Sequence, residues 1–362
     1  MQKKIKVLIV DDSAVARDFL EKGITRDPQI EVIGKASNAY AARDKIFFKN
    51  PDVITLDIEM PGINGLDFLK KLMAQQPMPV VMVSGMTETG SKITLEALEA
   101  GAVDFVPKAS IEKGITPDQM IMDLIAKIKI AANIYKAKLV PKKIFSTQLD
   151  HNKNLNELAG FKNKTDYIIA IGASTGGTDA IAKIISDIKD KTPGIIIVQH
   201  MPPVFTRMFA ERINKITNLQ AKEAEDGDLV RNNSIYIAPG GYHMRLIYDH
   251  NKFFLECTKG ENVNGHSPSV DVLFDSVAIA AKTNAMGIIL TGMGKDGAKG
   301  LLNMKNQGAY TIAQDEKSSI VFGMPMEAHK IGASNKLVNL DSIAGEISKY
   351  VITKKIFETT QQ

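Results

Sequence analysis

Short β-branched runs recur along this chain, and each stops at a side chain that can do chemistry. Residues 4–10 end at Asp11-Asp12-Ser13, DVITLD at Asp57, VVMVS at Ser84, and a weaker run over 104–108 at Lys108. Helical periods separate them. Leu66, Leu69, Leu72 and Met73 form one apolar stripe, and Ile121, Leu124, Ile125 and Ile128 form another at i, i+3, i+4, i+7. Near-continuous apolar strands alternating with helices imply a parallel sheet covered on both faces.

The pattern fades after about Ala131. Nine lysines fall between 127 and 164 against only Asp150 and Glu157, and Pro141 sits among Asn and Lys residues. This reads as the end of a helix followed by a flexible linker, either a solvated spacer or a basic strip that docks on an acidic surface. The alternation then restarts. Residues 167–171 form a strand followed by a Gly-rich turn and a helix carrying Ile181, Ile184, Ile185 and Ile188 on one face. Further strands are expected over 194–199, 234–238, 285–290 and 309–314, and Ser267-Pro268-Ser269 suggests a helix start with Ser at the cap and Pro in the first turn.

A length of 362 residues suits two domains, and 44% hydrophobic with 24% charged residues excludes wholesale disorder, a collagen-like fibre and a long coiled coil. The single cysteine, Cys257, excludes an internal disulfide framework and a Cys-rich zinc site. Apolar stretches fall far short of the ~18 residues of a membrane span. The opening MQKKIKVLIV has the charge of a signal peptide but stops at Asp11-Asp12, so it reads as a first strand in a cytoplasmic protein with no membrane insertion. A net charge of +4 gives no case for nucleic-acid binding.

In an open parallel sheet, ligands sit beyond the carboxyl ends of the strands. Asp11, Asp12 and Asp57 converging there repel one another unless a cation joins them, and hard oxygen ligands suit Mg²⁺. Asp57 so neutralised can attack a phosphoryl donor, with Lys108 and Ser84 bonding the phosphoryl oxygens. Strand-end acids and hydroxyls can also be plain helix caps. Residues 1–126 resemble a response-regulator receiver domain through Asp11-Asp12, DVITLDIEMPGING, Ser84 and GAVDFVPKAS. The resemblance implies a flavodoxin-like five-stranded parallel sheet of order 2-1-3-4-5, with Asp57 as phosphoacceptor. It also implies Asp11, Asp12, Asp57 and the Glu59 carbonyl at the Mg²⁺ site, Ser84 and Lys108 as the switch pair, and Phe105 as the mobile aromatic. This chain departs from that family by placing Ala109 after the lysine, where the family has a cis proline. A cis bond before Ala costs about 3 kcal/mol, so trans is expected.

In the second half, YIIAIGASTGGTDAI places Ser174 on a Gly-rich turn before a helix, whose free N–H groups suit a developing oxyanion. A serine hydroxyl needs a base. GIIIVQH ends in His200 on the neighbouring strand, and ILTGMGKDGAKGL places Asp296 just past another, where it can hold the imidazole tautomer. Read singly, the three are a helix cap, a strand-end polar group and a loop carboxylate. A dinucleotide site is the rival reading, but GASTGG is not GxGxxG and no acid ends the next strand. His266 can line the cleft, though a surface place at a helix start fits it better. His151 and His250 read as solvent groups, and His243 and His329 have no assignment.

Residues 165–355 resemble the catalytic domain of the chemotaxis protein-glutamate methylesterase family: IGASTGG, QHMPP, APGG, SPSVDVLF and LTGMGKDGA occur in that family's order. The expected architecture is therefore a receiver (1–126), a basic helix end and linker (127–164), a doubly wound, mainly parallel α/β catalytic domain (165–355) and a tail (356–362). The resemblance implies a serine carboxylesterase-type hydrolase that needs no cofactor for its own chemistry. It implies the triad Ser174, His200 and Asp296, with oxyanion donors near Thr175 and at Met293. The implied substrates are γ-methyl esters of glutamate, and certain glutamines, on chemoreceptor cytoplasmic domains. The implied phosphodonor is a chemotaxis histidine kinase, and the protein is expected to be a monomer. Phosphorylation of Asp57 would open a cleft that the receiver otherwise covers. A nucleic-acid-binding output and a nucleotide-dependent oxidoreductase are the competing classes for the second half.

Overall fold

The structure, a computed structural model, describes residues 3–85, 87–110, 115–137 and 165–357. The chain divides into two units, 1–146 and 147–362. Most of the expected linker, 138–164, and the end of the tail, 358–362, lie outside the described residues.

In the first unit, strands β1 (Ile5–Val10), β2 (Ile30–Ala36), β3 (Val53–Asp57), β4 (Val80–Ser84) and β5 (Asp104–Pro107) alternate with helices α1 (Ala14–Ile24), α2 (Ala39–Lys49), α3 (Gly65–Gln75), α4 (Glu88–Glu99) and α5 (Pro117–Ala137). The sheet order is β2-β1-β3-β4-β5, all parallel, as expected. Side-chain oxygens start the helices: Ser13, Asn38, Asn64 and Thr87 each accept a backbone N–H of the first turn. The α5 stripe of Met120, Ile121, Leu124 and Ile128 packs against Val7, Ile9, Val53, Val81 and Val83. Gly65 lets α3 press against the end of β3, because a Cβ there would lie 2.0 Å from the Asp57 carbonyl oxygen. The Lys108–Ala109 bond is trans, as expected; among the described residues the one cis peptide is Ser267–Pro268.

The second unit contains β6 (Ile168–Ala173), α6 (Gly177–Asp187), β7 (Gly194–Gln199), α7 (Phe205–Ile216), β8 (Gln220–Glu223), β9 (Ser234–Ile237), β10 (His243–Asp249), β11 (Lys252–Thr258), α8 (Val270–Ala280), β12 (Ala285–Ile289), α9 (Ala298–Asn306), β13 (Tyr310–Gln314), α10 (Met324–Lys330), β14 (Lys336–Val338) and α11 (Leu340–Thr353). Seven parallel strands run in the order β14-β13-β12-β6-β7-β9-β8. From β6 the chain fills one side of the sheet and then returns to fill the other. The carboxyl end of β6, between β7 and β12, is thus the topological switch point where open α/β sheets bind ligands.

The antiparallel hairpin β10–β11 stands outside this sheet. Its inward residues Met244, Leu246, Phe253 and Leu255 share a core with Val270, Phe274 and Val277 of α8. The helix start near Ser267 falls later than expected. Ser269 caps α8 by accepting the Val272 amide, and Pro268 lies before the cap instead of in the first turn. Among the described residues no helix is long and apolar enough to cross a membrane.

Candidate functional sites

The first crevice lies at the carboxyl edge of β1 and β3. Asp11 and Asp57 are buried, Asp12 is exposed, and one carboxylate oxygen from each falls within 4.8 Å of the others. Lys108 Nζ donates to Asp57 Oδ2 at 2.8 Å and lies 3.3 Å from Asp11 Oδ2. That Asp11 oxygen is buried without a hydrogen-bond partner. Burial opposes the Lys108 charge, but Asp57 and Asp11 outweigh it and raise its pKa above the ordinary lysine value. Burial pushes the Asp57 carboxyl up, against the pull of Lys108. Three carboxylates around one lysine, with an Asp11 oxygen that makes no hydrogen bond, fit a hard divalent cation such as Mg²⁺.

The Lys108 amide donates to the Ser84 carbonyl at 2.8 Å, which ties the β5 exit to β4. Ser84 is fully buried, and its hydroxyl lies 2.8 Å from Thr94 Oγ1 on α4. Phe105 is buried at 4% exposure, with Lys127 of α5 bonding its carbonyl at 2.5 Å and standing 5.4 Å from its ring centre. Glu59 donates its amide to Asp57 Oδ1 at 3.4 Å. Two contributors were not foreseen. Thr94 holds the Ser84 hydroxyl, and Arg17 of α1 fixes the turn after β1 by donating to the Asp11 and Asp12 carbonyls at 2.7 and 2.9 Å. An Arg four residues after Ser13 is the one signal that pointed to the latter.

The second crevice is at the switch point. Ala173 of β6 pairs with Gln199 of β7, so Ser174 and His200 are the next residues on adjacent strands, and the His200 amide donates to the Ala173 carbonyl at 3.1 Å. On the other side, the Ser174 amide donates to the Thr291 carbonyl at 3.0 Å, and the Thr291 hydroxyl bonds the Thr175 carbonyl at 3.0 Å. Gly292 permits this approach, since a Cβ there would lie 2.8 Å from Ser174 Cβ and 2.3 Å from Met324 Sδ. Met293, next along, is 47% exposed at the crevice rim, and Thr175 is buried.

His200 donates through Nε2 to Asp296 Oδ2 at 2.8 Å, with both side chains almost fully buried. Asp296 is saturated at the start of α8. Oδ2 also accepts the Val270 amide at 2.7 Å, while Oδ1 accepts Ser269 Oγ at 2.8 Å and Asn264 Nδ2 at 2.7 Å. Burial alone would raise its pKa, but His200, Asn264 and the Val270 amide win and hold the carboxyl well below the usual carboxylate range. Asp296 is therefore an anion that fixes the Nε2–H tautomer and leaves the His200 lone pair on Nδ1. Nδ1 is buried with no hydrogen-bond partner, so the expected bond between Ser174 and His200 is not made in this structure. The backbone brings Ser174 and His200 to adjacent strand exits, and the relay is closed between histidine and aspartate.

His266 differs from its expected place at the surface. Its ring lies flat on that of His200, with centres 3.7 Å apart and planes at 13°. The remaining described histidines have local partners: His243 the Glu261 carbonyl, His329 the Ser334 hydroxyl and exposed His250 the Asp249 carboxylate. His151 lies outside the described residues. Cys257 has burial and the acids Asp226, Asp228, Glu223 and Glu256 around it, which push its thiol up to about 12 and leave it a poor nucleophile.

Comparison with known proteins finds a family for each half of the chain. The response regulator receiver domain model matches residues 7–121, and the CheB methylesterase model matches residues 169–347. A protein-glutamate methylesterase/protein-glutamine glutaminase of Syntrophotalea carbinolica is 47% identical over 98% of this chain and 100% of its own length. One of the same name from Sulfurimonas denitrificans is 48% identical over 97% of this chain and 99% of its own length. The crystal structure of the Thermotoga maritima CheB methylesterase catalytic domain matches 51% of this chain and 98% of its own, at 38% identity and a TM-score of 0.50. With relatives of this identity matched from end to end, the chain belongs to the CheB methylesterase family, in the form that carries a response regulator receiver domain ahead of the catalytic one.

Proposed function

We propose that this protein is a phosphorylation-activated protein-glutamate methylesterase and protein-glutamine glutaminase that resets chemoreceptors during sensory adaptation. The observation that carries the reading is the buried His200–Asp296 pair beside Ser174 at the switch point of the second sheet. As substrate seats, the Ser174 hydroxyl swings onto His200 Nδ1, which takes its proton while the oxygen attacks the γ-ester carbonyl. The imidazolium that forms is stabilised by the Asp296 anion. Backbone N–H groups near Thr175 and at Met293 are assigned to the developing oxyanion. His200 then returns the proton to the departing methoxide, and methanol leaves. A water molecule, deprotonated by the same Nδ1, attacks the Ser174 acyl ester; the proton passes to the departing Ser174 oxygen and the glutamate carboxylate is released. With a glutamine substrate the leaving group is ammonia. An amide nitrogen leaves less readily than methoxide, so the ester reaction is the faster.

In the receiver, Asp11, Asp12, Asp57 and the Glu59 carbonyl would hold Mg²⁺, which when bound offsets the charge of the acids and of the incoming phosphoryl group. Asp57 takes the phosphoryl group from a histidine kinase, Lys108 pairs with one of its oxygens, and Ser84 turns from Thr94 to another. Phe105 follows Ser84, and the restraint on the catalytic unit is released. We take the protein to act as a cytoplasmic monomer on the cytoplasmic domains of chemoreceptors.

The test is methanol release from methylated receptor membranes, with and without a small phosphodonor. The wild type should be stimulated by the donor, and Ser174→Ala should lose about 10⁴-fold or more of the rate. A Ser174→Ala variant that releases methanol at the wild-type rate would remove the serine from the reaction.

A further inference from the structure

The catalytic crevice holds a second imidazole that the Ser174–His200–Asp296 chemistry does not use. His266 lies in the segment that leads into α8, and that segment grips the site at three points. Asn264 Nδ2 bonds both Asp296 Oδ1 and Asp271 Oδ2 at 2.7 Å, and Ser269 Oγ bonds Asp296 Oδ1 at 2.8 Å. Between them, His266 is laid on His200 with ring centres 3.7 Å apart and planes at 13°. The turn that carries it is closed by reciprocal backbone bonds between Val263 and His266, each 3.0 Å, with Gly265 at a φ of +84°. The stack is therefore built by a short, well-tied loop anchored on the same carboxylate that anchors the base.

Hydrogen bonding leaves the base one freedom that the stack removes. Asp296 fixes the position of His200 Nε2, but one hydrogen bond does not fix rotation of the ring about that contact, and Nδ1 has no partner to do so. A small rotation there changes where Nδ1 points, and displacements of about 1 Å at a reacting atom can cost roughly 100-fold in rate. A flat ring in van der Waals contact with the face of the imidazole blocks that rotation. It also offers a π-face to the ring when it becomes a cation in the transition state.

We propose that His266 is a positioning residue: by stacking on His200 it sets the plane of the imidazole so that Nδ1 faces the Ser174 hydroxyl. The inference rests on the serine-hydrolase reading above. Two features follow. The effect belongs to kcat more than to KM, because the substrate is not what His266 holds. A flat aromatic ring without nitrogen should serve nearly as well as histidine.

The experiment uses the full-length chain, activated by a small phosphodonor, acting on methylated receptor membranes. His266→Ala should lower kcat about 10- to 100-fold with KM little changed, while His266→Phe should stay within about threefold of wild type. If His266→Ala fails to fold, His266→Leu, which fills space without a flat face, takes its place and should fall well below Phe. A wild-type kcat in the Ala variant, an equal loss in Phe and Leu, or a loss confined to KM would each overturn the proposal. Ser174→Ala, run in parallel, separates the two ideas. If it is inactive while His266→Ala is normal, only the positioning role fails; if it is active, the serine reading itself fails.

Discussion

The two crevices sit at the same place in two parallel sheets, yet they handle charge in opposite ways. The receiver brings Asp11, Asp12 and Asp57 together with one lysine, whose ammonium is shared between Asp57 and Asp11 and leaves Asp11 Oδ2 without a hydrogen bond. The catalytic unit buries a single carboxylate, Asp296, and saturates it with bonds from His200, Asn264, Ser269 and the Val270 amide. The first site is electrostatically incomplete and is finished by what it binds, a cation and then a phosphoryl group. In the second the carboxylate is complete without any ligand, and the base keeps one buried atom unpartnered, His200 Nδ1, which must accept a proton. A binding site stores its unsatisfied capacity in charge, and a general base stores it in one lone pair.

Three predictions can break this contrast, from the largest effect to the smallest. Asp296→Asn can offer its NH₂ where the anion stood, so His200 loses the Nε2–H tautomer, and kcat for methanol release should fall about 10³- to 10⁴-fold. A loss below tenfold would mean that the saturated anion is not what sets the tautomer. Next, Asp57→Asn and chelation of divalent cations should each abolish stimulation by the phosphodonor while sparing the basal rate. Stimulation that survives chelation would place the cation outside the phosphoryl chemistry.

The smallest effects are on stability, where the same substitution should act with opposite signs. Asp296 titrates below its ordinary value of 3.8, so its ionisation stabilises the catalytic unit above about pH 4, and this stabilisation fades as pH falls through the folded value. Asp296→Asn should cost about 3 kcal/mol at pH 7 and flatten the acid side of the stability curve. Asp57 titrates above its ordinary value, so its charge opposes folding at neutral pH in the absence of a divalent cation. Asp57→Asn should therefore stabilise the receiver, by less than Asp296→Asn destabilises the catalytic unit. Denaturant midpoints of the two units, measured from pH 3 to 7, check both signs.

The strand ends were legible because polar residues that close apolar β-branched runs have nowhere to go but the sheet edge. That rule located Asp57, Ser84, Ser174 and His200. It did not reach residues whose place depends on a turn. His266 meets His200 only through the loop closed between Val263 and His266, and nothing in its spacing from residue 200 carries that information. The β10–β11 hairpin was missed for a related reason. Its two-residue turn is His250-Asn251, both at positive φ, where the familiar sequence signal is Asn-Gly. The choice of Nδ1 as the free nitrogen was likewise out of reach, because it follows from which ring atom Asp296 touches.

The claim on which the catalytic account stands is that Ser174 and His200 work as one unit, and combining their substitutions tests it most directly. Methanol release should be measured for Ser174→Ala, His200→Ala and the double variant under full activation. Each single change should remove nearly all of the rate, and the double variant should be no slower than the worse of the two. A His200→Ala enzyme within tenfold of wild type, or losses that multiply in the double variant, would contradict the account.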